Sequence, residues 1–169
     1  MPTLVEPRRD RTLPSTRQGV SRRGLLLAAA CLALAAPSIR LAALAADELT
    51  IETAAGAQRF TIELVDTPES RARGLMFRRS MLPDHGMLFD FKTEQPVAFW
   101  MKNTPLPLDM LFIDGQGVIV QIAADTIPFS EAAIPSRQPI RAVLEVNAGT
   151  AERLEIAVGD RVRHPIFPG

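Results

Sequence analysis

The chain has 169 residues, room for one domain. Its 19 basic and 19 acidic side chains balance overall. The balance hides an asymmetry: seven arginines (Arg8, Arg9, Arg11, Arg17, Arg22, Arg23, Arg40) face Glu6 and Asp10 up to residue 45, leaving twelve basic and seventeen acidic side chains beyond it. A basic leader on an acidic body is a targeting pattern, and the acidic body excludes the electrostatic footprint of a nucleic-acid binder.

Residues 1–23 read as a long polar region ending in Ser21-Arg22-Arg23, and Gly24 to Ala36 is an apolar run that Pro37 stops. Thirteen apolar residues make a helix of roughly 20 Å, short of the ~30 Å hydrocarbon layer, so no permanent membrane span is expected. Ala43-Leu44-Ala45 offers a signal peptidase its small residues, with cleavage before Ala46. The run from Ser21 to Leu26 resembles a twin-arginine export signal. The expected organisation is therefore a signal peptide over 1–45 and one periplasmic domain over 46–169. Cys31 lies inside the apolar run and lacks the leucine three positions before it that a lipid-anchored cysteine has. Lipid anchoring is not expected. The domain itself has no cysteine, hence neither disulfide nor thiolate chemistry.

Within the domain, Leu49 to Thr53 and Arg59 to Leu64 alternate around a turn at 54–57 and predict a hairpin. Thr67 is placed to cap a short helix with Pro68 at its first position and Gly74 at its stop. Met87 to Phe91 and Val97 to Met101 are apolar runs of strand length, the second nearly continuous and expected to be buried on both faces. Asp114-Gly115-Gln116-Gly117 between two apolar strands is the strongest hairpin signal in the chain. Residues 125–139 hold three prolines without periodicity and predict a long loop, of the kind used as a binding loop or lid. Ile140 to Val146 alternates, Thr150 to Ile156 predicts a second short helix, and Arg161 to Arg163 a last strand. The expected fold is mostly β (α+β), an antiparallel barrel or sandwich with two short helices. Phe60, Ile62, Leu64, Leu111, Ile113, Ile119, Leu144 and Val146 are expected in one core.

Five blocks carry a family resemblance: Ala72 to Arg78, Gly86 to Phe89, Phe99 to Thr104 with Pro107-Leu108-Asp109, Ala142 to Gly149, and Gly159-Asp160. Together they resemble the bacterial and archaeal family catalogued as domain of unknown function 192, over essentially all of 49–163. The resemblance implies a compact β-barrel-like or sandwich domain and carries no established activity.

Segment 99–109 is the most informative for chemistry. A buried strand is expected to end in Lys102-Asn103-Thr104, stiffened by Pro105 and Pro107, with Asp109 heading the next strand. Lys102 suits an anionic group and Trp100 a ring face for a sugar or cation. Arg73 and Arg78 suit carboxylates or phosphates, and Glu145 shares a strand face with Asn147. These residues (Arg73, Arg78, Trp100, Lys102, Asn103, Asp109, Glu145) are expected to converge in one rim cleft as a ligand-binding set. In the structural reading of the same residues, Lys102 pairs with Asp109 or Glu145, Asn103 caps a turn, Trp100 is core and the arginines are a solvated face. His85 and His164 belong to no metal-ligand pattern and read as surface residues, and the methionines after residue 46 read as core. No phosphate loop, dinucleotide fingerprint or nucleophile elbow is present, so neither cofactor nor metal is expected. Three functions stay open: a monomeric module holding a small polar ligand or an envelope partner's segment, an acid–base enzyme using Lys102, Asp109 and Glu145, and a purely structural envelope protein.

Overall fold

The computed structural model describes residues 47–168. The leader and its export signal lie outside the described residues. A hairpin opens the domain, β1 (Glu48–Thr53) against β2 (Gly56–Val65). Then comes α1 (Pro68–Arg73): the Thr67 side chain accepts from the Ser70 N–H, Pro68 begins the helix and Gly74 ends it, as the sequence predicts. After β3 (His85–Gln95) and the two-residue β4 (Ala98–Phe99), strands β5 (Leu108–Ile113) and β6 (Ile119–Ala123) form the predicted hairpin. Its turn is held by the Asp114 carboxylate, which accepts from the N–H groups of Gln116 and Val118 at 2.9 and 2.8 Å. The chain closes with β7 (Ile134–Pro135), β8 (Ile140–Asn147), α2 (Thr150–Arg153) and β9 (Arg161–Arg163).

Seven strands make one curled sheet, ordered β6-β5-β8-β3-β2-β1-β9, while β4 and β7 pair separately. The curl brings the two edges together, because the Val162 N–H donates to Gly117 and the Ile119 N–H to Asp160, at 2.7 and 2.9 Å. Inside it lies a core with residues from every strand of the large sheet, including Phe60, Ile62, Leu111, Ile113, Ile119, Leu144 and Val146. Leu64 departs from the expected set and is 36 % exposed. β1 pairs with β2 only up to Thr61, so Leu64 lies past the strand that would cover it.

The antiparallel expectation needs one correction: β2 and β3 run parallel, which requires a crossover, and residues 66–84 with α1 supply it. That crossover lies over the outer face of the sheet. There Met87 and Phe89 of β3, Leu108, Met110 and Phe112 of β5 and Val143 of β8 form a second core with Leu75 and Met101. The expected fully buried strand over 97–101 is in fact an edge piece. Val97 and Phe99 pack on this second core, whereas Ala98 and Trp100 face solvent. The 125–139 segment is no free lid. Its β7 pairs with β4, the Met101 N–H donates to Ser130 at 2.9 Å, and Gln121 holds Pro135 and Arg137 through its side-chain amide at 3.1 and 2.8 Å. His164, expected on the surface, is 5 % exposed, tucked beneath the C-terminal turn where the Ile166 N–H approaches its Nδ1.

Candidate functional site

From Ala142 on, strand β8 alternates between the two cores, Ala142, Leu144 and Val146 facing inward and Val143, Glu145 and Asn147 outward. Two of the outward side chains are accounted for. Val143 is packed, and the Asn147 amide donates to the carbonyls of Met81 and Leu82 at 3.1 Å. Glu145 is different. In the register it lies between Met87 of β3 and Met110 of β5, which offer it no hydrogen bond. It is 4 % exposed, and no group among the described residues pairs with its carboxyl. Burial pushes its pKa up from 4.5 to about 8, so the carboxyl is protonated at neutral pH.

What Glu145 meets instead is a cleft of about 330 Å3 on the outer face of the sheet. One wall is α1 and the turn after it (Arg71, Arg73, Gly74, Leu75, Met76), the other is the 97–104 segment (Val97, Phe99, Trp100, Thr104), and Phe89 and Phe91 complete it. Gly74 is where the helix wall can come this close. Its φ is +47°, and a Cβ there would stand 3.1 Å from the Phe89 ring. Arg71 pins that wall to the sheet, donating to the carbonyls of Asp66 and Asp90 at 2.7 and 2.9 Å with its guanidinium over the Phe91 ring. Phe99 fixes the opposite wall, its ring edge-on to Phe89, Phe91 and Phe112 with centroids 5.1–6.2 Å apart.

Of the seven residues expected to converge, Arg73, Trp100 and Glu145 border this cleft. Arg73 is exposed and has no side-chain partner among the described residues. Lys102 sits beside the cleft, its Nζ 5.2 Å from the Trp100 ring centre and 3.6 Å from Glu131, so the cation that Trp100 engages is the protein's own. Asn103 does not border the cleft: its left-handed backbone (φ 57°) presents its carbonyl to the Phe77 N–H at 2.8 Å, and its side-chain amide donates to the sulfur of Met76 at 3.9 Å. Arg78 forms a bidentate pair with Glu63 of β2 in a neighbouring hollow. That hydrogen bond, aided by the charge, holds Glu63 below its usual range despite partial burial.

Asp109 does not belong to the cleft. Strand parity turns it to the inner face, where its oxygens accept from the Asp125 and Ala151 N–H groups at 3.0 and 2.9 Å. Ala151 is in the first turn of α2, whose cap Gly149 offers no side chain, so Asp109 caps that helix from a distance. The set Lys102, Asp109 and Glu145 is therefore not a constellation in space. Sequence reasoning missed Arg71 and the phenylalanine walls. The available signal was the parity of 97–100, in which Val97 and Phe99 share one face and Ala98 and Trp100 the other.

The DUF192 family model, described as "Uncharacterized ACR", matches residues 50–164. The chain belongs to the DUF192 family. Among solved structures, it resembles a "putative transcription regulator" from Sinorhizobium meliloti 1021 with 49% identity and a TM-score of 0.70, over 74% of this chain and 98% of that one. It also resembles a protein of unknown function from Novosphingobium aromaticivorans DSM 12444, with 38% identity and a TM-score of 0.67, over 69% and 83% of the two chains. No curated protein matches the chain. The DUF192 blocks include the turn after α1, the 99–104 segment and the middle of β8, which are three of the cleft's borders.

Proposed function

We propose that this DUF192 domain is an exported, periplasmic binding module that holds a small molecule in the cleft between α1 and the 97–104 segment. One observation carries the reading: Glu145 is 4 % exposed as a residue, its carboxyl has no partner among the described residues, and the opening left to it is the cleft. No buried side-chain oxygen or nitrogen among the described residues lacks a hydrogen-bond partner, so the unpaired Glu145 oxygens are not sealed in the fold and are reached from the cleft. A ligand in the cleft that accepts the Glu145 proton gives this carboxyl the hydrogen-bond partner that the fold does not. The walls are apolar and aromatic with few polar groups, as small-molecule sites commonly are. Export rests on the leader, with its twin arginines, short apolar run and Ala43-Leu44-Ala45 site.

An acid–base enzyme is the second reading, favoured by one fact, that a carboxyl with a pKa near 8 is suited to general-acid work. It lacks a second group in the cleft, because Asp109 is on the other face of the sheet. The "transcription regulator" description of the S. meliloti relative does not transfer, since the described domain is acidic and DNA selects basic surfaces. The test is a melting-temperature screen of a fragment library on the full chain and on Trp100→Ala. Fragments that stabilise the wild type and lose their effect in the variant support the module. A library that shifts neither protein sinks it.

A further inference from the structure

Given that the cleft is a binding site, the geometry points to one ligand class: a small organic anion with a ring body. Its charge meets Arg73, its ring packs against Phe99 with Trp100 at the rim, and a neutral oxygen at its other end accepts a hydrogen bond from the Glu145 carboxyl. Three charge-bearing side chains border the cleft, namely Arg71, Arg73 and Glu145. Arg71 is committed to the carbonyls of Asp66 and Asp90. Arg73 is uncommitted among the described residues and guanidinium is matched to carboxylate. Lys102 stands behind the Trp100 ring, offset by Glu131.

Glu145's neighbours in the sheet are Met87 of β3 and Met110 of β5, and the other titratable groups lining the cleft are Arg71 and Arg73. Burial keeps the carboxyl neutral up to about pH 8, so it donates, and the cleft is net positive on an acidic domain. A cationic ligand meets two arginines and no anion. An uncharged ligand leaves Arg73 unused.

Four probes of one size separate the possibilities by NMR titration of the full chain. 4-Acetylbenzoate carries the anion and an acceptor-only oxygen, 4-isopropylbenzoate lacks the acceptor, 4-acetylbenzyl alcohol lacks the charge, and 4-acetylbenzylamine reverses it. The expected result is that 4-acetylbenzoate binds about tenfold more tightly than each of the others, the ratio one good charge-assisted or buried hydrogen bond supplies. Its affinity should fall by about tenfold between pH 7 and pH 9 as Glu145 ionises. Arg73→Met should abolish the preference over the alcohol, and Glu145→Leu the preference over 4-isopropylbenzoate. The inference is overturned if the amine binds best, if affinity rises with pH, or if none of the four binds. Should the fragment screen return cleft binders of another charge class, the class named here fails and the module stands. An empty screen removes both.

Discussion

Two carboxyls in the domain, Asp109 and Glu145, are both buried, and their surroundings give them opposite roles. Asp109 has both oxygens filled by backbone donors at 3.0 and 2.9 Å and holds the start of α2. Glu145 has neither filled. Asp109→Ala should cost about 2–5 kcal/mol in equilibrium unfolding, because the buried Ala151 N–H and the partly buried Asp125 N–H lose their acceptor, and Asp109→Asn should cost less. Neither change should alter ligand binding, which a titration with a cleft-binding fragment checks. Sequence alone could not make this distinction. Asp109 and Glu145 each sit in an apolar strand of the same composition, and only the pairing of Asp109 beside Val146 fixes which face each one takes. The exposed pair Arg78–Glu63 stands lower on the scale: both side chains are more than a third exposed, and Arg78→Ala should change stability by less than about 1 kcal/mol.

Elements were legible where alternation or turn chemistry is local. The hairpins β1–β2 and β5–β6, the capped α1 and the alternating β8 follow from period-two patterning and from Thr67, Pro68 and the Asp114 turn. Pairing direction was not legible, because a half-buried strand has the same alternation whether its neighbour runs parallel or not. The 97–101 run misleads for a related reason: apolar content resembles burial, yet the segment leaves the large sheet and exposes every second residue. The 125–139 loop owes its order to distant groups, chiefly the Gln121 amide, which no local pattern reveals. Two substitutions test the packing. Leu144→Ala in the inner core should cost about 2–5 kcal/mol, whereas Leu64→Ala, 36 % exposed, should cost well below that. Gly74→Ala should destabilise by roughly 1–3 kcal/mol and weaken fragment binding, since φ +47° disfavours a Cβ that would also press on Phe89.

At the scale of the whole molecule, the leader and the cleft make separable claims. If the chain is exported as proposed, N-terminal sequencing of the periplasmic form should find a start within a few residues of Ala46, and replacing both Arg22 and Arg23 by lysine should block export. Retention of residues 1–30 would refute cleavage there. The cleft claim has a global signature, because burial disfavours the ionised form of Glu145 and so weakens the fold once the unfolded chain ionises it. The unfolded chain ionises Glu145 above about pH 4.5 and the folded one only above about 8. Between those values the folded state holds one more proton, so this group makes stability fall as pH rises and adds no further slope above 8. At 1.36 kcal/mol per pH unit the loss at pH 8 is on the order of 3–5 kcal/mol. Urea unfolding of the full chain and of Glu145→Gln from pH 4 to pH 8.5 reads this directly, because the difference between the two cancels every other titrating group. The account predicts near-equal stability at pH 4 and a variant more stable by several kcal/mol at pH 8; a pH-independent difference, or a variant less stable at pH 8, would contradict it.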